Sequence, residues 1–125
     1  MSSESIGTSP AVVSKPSVET GGVVEALRGA KSLVANGWIK HWPAQTATGR
    51  RVDYKAPDAC SFCAAAATAR ASGGMSTPVY KRAMRLLEAA AEGWVLSDWN
   101  DAPDRTQSDV LALFDKAIAL AEQNQ

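Results

Sequence analysis

The chain has 125 residues, 46% of them hydrophobic and 21% charged, with a formal net charge of zero. That length suits one domain, the balance lies far from the apolar-poor compositions that stay unfolded, and no apolar run reaches the ~20 residues of a membrane span. No basic start leads into an apolar stretch at the N-terminus, so no secretory signal is read, and a cytoplasmic location with Cys60 and Cys63 as thiols is expected.

Residues 1–20 are rich in Ser, Thr, Pro and Gly and read as a flexible tail, with residues 21–125 forming a single helical domain. Val23, Leu27, Ala30 and Val34 recur at helical spacing, and Asn36-Gly37 offers a left-handed stop. From Trp38 to Pro57 the pattern is irregular, with a turn at Thr48-Gly49-Arg50, and reads as a long loop with room for a short hairpin. A second helix is expected from Asp58, a capping residue, to Ser72, where Gly73-Gly74 ends it; its small apolar surface suits a central, buried position. Thr77-Pro78 is a cap followed by proline at the first helical position, and Tyr80, Ala83, Met84, Leu87 and Ala91 form the stripe of a third helix that Gly93 closes. Thr106 with Asp109 three residues on reads as a capping box for the last helix, whose stripe is Val110, Leu113, Phe114, Ala117, Ile118 and Ala121. The expected fold is all-α, a bundle of about four helices.

Charge is unevenly placed. Residues 22–87 carry ten Lys/Arg against three Asp/Glu, and residues 88–125 carry eight Asp/Glu against two Lys/Arg. Helices of opposite sign lying side by side would neutralise each other; the less favoured reading is a nucleic-acid surface using Lys40, Arg50, Arg51 and Lys55.

The run Trp99-Asn100-Asp101-Ala102-Pro103-Asp104-Arg105-Thr106, continued by Asp109 to Phe114, resembles a family of small bacterial and phage-associated proteins known only as a domain of unknown function. Gly37-Trp38, Gly49-Arg50 and the small residues from Cys63 to Ala67 fit the same resemblance, which spans about residues 23–120. The family pattern has a single cysteine, matching Cys63, and a glycine where this chain has alanine. The resemblance implies a fold and brings no activity.

Cys60-Ser61-Phe62-Cys63 has C-x-x-C spacing, but redox motifs of this kind follow a strand and a zinc site needs about four ligands, so buried structural cysteines and no metal are expected. His41 between Trp38 and Trp42 is the one histidine and could act as a general base. No nucleophile–base spacing or phosphate loop accompanies it, so no catalytic residue and no cofactor are assigned. The Trp99 segment reads either as a structural corner, with Trp99 packed, Asn100 or Asp101 satisfying turn amides and Thr106 capping, or as a pocket rim formed by Trp99, Asp101 and Arg105 with Trp38, His41 and Trp42. The leading expectation is a non-enzymatic module that binds a protein partner; the alternative is a small-molecule or enzymatic pocket between the long loop and this corner.

Overall fold

The first apolar stripe sets the centre of the molecule. In the computed structural model, which describes residues 18–123, helix α1 runs Val18–Asn36 and buries Val23, Val24, Leu27, Ala30 and Val34. The expected tail falls on residues 1–17 outside the described part, and its last three residues lie within the helix. Four more helices follow, α2 (Ala64–Ser72), α3 (Pro78–Ala90), α4 (Leu96–Asn100) and α5 (Gln107–Gln123), together with strands β1 (Ala44–Gln45), β2 (Arg51–Val52) and β3 (Ser61–Phe62).

The all-α expectation is overturned. Five helices among the described residues share the chain with a three-stranded antiparallel sheet of order β2-β1-β3. Pro43 and Pro57 bracket a stretch that cannot continue as helix, and its backbone amides find partners across strands instead. Ala44 pairs with both Val52 and Phe62, and Gln45 with Arg51 and Ser61. Gly49, at φ 91°, makes the turn of the β1–β2 hairpin, while the buried Thr46 takes the Arg50 amide on its Oγ at 3.1 Å. The second helix was expected from Asp58, but residues 60–63 extend along β1, with Cys60 N–H donating to Gln45 O and Cys63 N–H to Pro43 O, both at 2.9 Å. Phe62, almost fully buried, fixes that register because a one-residue slip would turn it to solvent.

Nor is the end of α1 a left-handed glycine, since Gly37 is not among the residues with positive φ. Glycine is needed there for space: a Cβ would stand 2.5 Å from Cys60 O and 2.5 Å from Ser61 Oγ. That approach lets Phe62 N–H reach Gly37 O at 3.0 Å and stitches α1 to the sheet.

The local stops and starts elsewhere follow their residues. Cys63, in place of Asp58, caps α2, and Gly73 at φ 83° closes it. Thr77 Oγ accepts the Tyr80 amide ahead of Pro78. The Thr106–Asp109 box is reciprocal, with Thr106 N–H donating to Asp109 Oδ2 at 3.0 Å and Asp109 N–H to Thr106 Oγ at 3.2 Å. The place at the centre expected for the second helix belongs to α1, which packs on α2, α3, α5 and β3. Opposite charges do lie side by side: Arg28 meets Glu122 at 2.7 Å and Lys31 meets Asp115 at 2.6 Å, across α1 and α5. Both pairs are solvent-exposed and add little stability.

Candidate functional site

Leu96, fully buried, pins α4 to the core, and its amide donates to Glu88 Oε2 at 3.1 Å, so α3 caps α4 with a side chain. At the other end of this short helix stands Asn100, a polar side chain with no exposed surface. Every hydrogen-bonding position on it is used. Its Oδ1 accepts Trp38 Nε1–H at 2.8 Å and the Ala64 amide at 3.0 Å, while its Nδ2 donates to Ile39 O at 3.2 Å and Asp101 Oδ1 at 2.9 Å. One amide therefore ties α4 to the first turn of α2 and to the segment leaving α1.

Asp101 continues the network outward. Its Oδ1 also accepts the His41 amide at 2.9 Å, and its Oδ2 lies 3.5 Å from His41 Nδ1. His41 has φ 69°, a left-handed conformation uncommon for a residue with a Cβ. Lys40 Nζ donates to Ala102 O at 2.7 Å and to Pro103 O at 3.2 Å, locking the Ala-Pro turn against the loop. On the far side of α4, Arg105 Nε donates to Trp99 O at 2.8 Å and its guanidinium stacks 3.8 Å from the Trp99 ring centroid.

The six residues expected to share one rim are divided by α4. His41, Trp42 and Asp101 line a hollow of about 200 Å³ with Pro43, Cys63 and Asn100. Trp99 and Arg105 line a separate groove of about 340 Å³, with Trp94 and Leu113. Trp38 is half-buried and committed to Asn100. Asn100 as the hub and Trp94 as an exposed wall escaped the sequence reading. Trp94 directly follows the Gly93 stop and belongs to no periodic stripe, and that was the available signal.

Cys63 is a capping group: its Sγ accepts the Ala66 amide at 3.4 Å, and burial pushes its thiol up from the ordinary value despite the amides of Ala66 and Ala65. Cys60 is exposed. No disulfide joins the two cysteines. Among the described residues no three His, Cys, Asp or Glu side chains form a group that could hold a metal ion. Each of the four cations of the nucleic-acid reading has a contact within the chain. Lys40 holds the Ala-Pro turn, Arg50 pairs with Asp58 at 2.9 Å, Arg51 lies 5.1 Å over Trp42, and Lys55 lies 5.8 Å over Tyr54. No helix among the described residues is long and apolar enough to cross a membrane.

The family of unknown function DUF6197 matches residues 19–120 of the chain. No curated protein and no solved structure matches it.

Proposed function

The chain belongs to the DUF6197 family, which brings no activity with it, and we propose that it is a small non-enzymatic binding module of bacterial or phage origin, working in the cytoplasm through protein contacts. The observation that supports this reading is the pair Trp94 and Val95, left 48% and 58% exposed beside the Arg105 groove. A half-exposed tryptophan leaves a large apolar surface open even though Arg105 lies 5.9 Å from the Trp94 ring centroid, and Trp with Arg are the residue types that dominate binding hot spots. Trp42, 44% exposed, offers a second anchor on the other side of α4. In this reading Trp42, His41, Trp99 and Arg105 make contact, and Trp38 and Asp101 hold them in place.

A second reading, a small-molecule or enzymatic pocket, draws on His41, whose unusual backbone places its imidazole beside Asp101 at the hollow's edge. The His41 hollow of about 200 Å³ is smaller than the ~300–1,000 Å³ of typical small-molecule sites, which counts against a pocket centred on His41.

The test is affinity capture from the native host with the immobilised full chain, its Trp94→Ala variant and its Trp42→Ala variant. A protein retained by the parent and lost from either variant, at an unchanged unfolding midpoint, is the expected outcome. Equal retention by all three would contradict the proposal.

A further inference from the structure

A third hollow, remote from α4, lies between the loop after β2 and the C-terminal end of α2. It has a volume of about 510 Å³ and is lined by Tyr54, Lys55, Arg70, Gly73, Gly74 and Met75, among others. We infer that this hollow is a binding site for a small anionic ligand bearing a carboxylate or phosphate group. It is independent of the protein-contact face and goes beyond that reading.

Four observations carry the inference. The volume falls within the range of small-molecule sites, unlike the His41 hollow. Two cations, Lys55 and Arg70, line it with no carboxylate among the lining residues. Asp53, close by in the chain, spends its Oδ1 on the Lys55 amide at 2.7 Å. Arg70 is held in place by its own fold contacts: Nη1 donates to Tyr54 O at 2.9 Å and Ala56 O at 2.8 Å, and the guanidinium sits 5.3 Å from the Phe62 ring centroid. A guanidinium fixed in this way keeps its Nε and second Nη for an oxyanion without a further loss of side-chain freedom. Finally, Tyr54 lines the hollow beside Lys55, and its phenol carries a hydroxyl. That hydroxyl stands 3.9 Å from where a Gly74 Cβ would be, on the wall that Gly74 gives the hollow. A hydroxyl at that wall can donate to a ligand oxygen in the hollow.

The test is a titration of the full chain with phenyl phosphate, benzoate and neutral benzamide, followed through backbone and arginine side-chain NMR signals. At least one anion should give saturable shifts at Lys55, Arg70, Gly73 and Gly74 at millimolar concentration, with the better anion identifying the group recognised. Benzamide should give none. Lys55→Gln should weaken the anion about tenfold, as expected for a lost charged contact, and Tyr54→Phe severalfold, with unfolding midpoints unchanged in both. The inference is overturned by an equal response to benzamide, by no saturable shift with either anion up to about 10 mM, or by anion binding that neither substitution alters.

Discussion

Asn100 carries more of the architecture than its size suggests, because it replaces water for four groups at once in a place water cannot reach. Removing it strands the Ala64 amide at the head of α2, the Trp38 indole N–H and the Ile39 carbonyl. Asn100→Ala should therefore destabilise the protein by about 3 kcal/mol in urea unfolding, the scale of unsatisfied buried polar groups. Asp101→Ala, which frees the exposed His41 amide, one Asn100 proton and the contact with the exposed His41 imidazole, should cost about 1 kcal/mol. Equal small losses would mean that the network is ornamental. Little of this was legible in the sequence: three of the four Asn100 partners, Ala64, Ile39 and Trp38, are 36 to 62 residues away, and nothing local to Trp99-Asn100-Asp101 reports them. The corner reading expected Asn100 or Asp101 to satisfy amides of the turn, whereas the amides that they accept, of Ala64 and His41, belong to α2 and the long loop.

Elements whose signals are local were readable. Thr77-Pro78, Gly73-Gly74 and the Thr106–Asp109 box each act within one turn of helix, and each appears where its residues stand. Elements whose cause is tertiary were missed. Strand β3 is two residues long and abuts α1 because Gly37 leaves the space, and α4 spans five residues capped by a glutamate from another helix. The α5 cap gives a pH test. The amide and hydroxyl of Thr106 hold the Asp109 carboxyl below its ordinary value of 3.8. Stabilisation from this group is thus present above that ordinary value and is lost as the pH falls through the lower folded value. Thr106→Ala should lower stability by about 1 kcal/mol at neutral pH, and Asp109→Asn should flatten the acid limb of stability against pH. An unchanged acid limb in the Asn variant would show that the box contributes nothing.

At the scale of the whole molecule, net neutrality conceals a division of labour. Where α1 meets α5 the opposite charges cancel, as the uneven charge distribution led one to expect. The long loop, expected to have room for a short hairpin, forms one from β1 and β2, and it delivers Lys40 and His41 to the Ala-Pro turn and Tyr54 to the α2 terminus. The fold thereby separates support from contact: Asn100, Trp38 and Leu96 face inward around α4, while Trp42, Trp94 and Val95 stay in solvent. The exposed residues on either side of α4 are the surface that we propose binds a protein. Amide hydrogen exchange of the full chain, with and without saturating captured partner, tests it most directly. Slowed exchange confined to residues 90–96 and 105–116, with or without residues 41–43, is the predicted footprint. A footprint elsewhere, or none despite binding, would contradict the account.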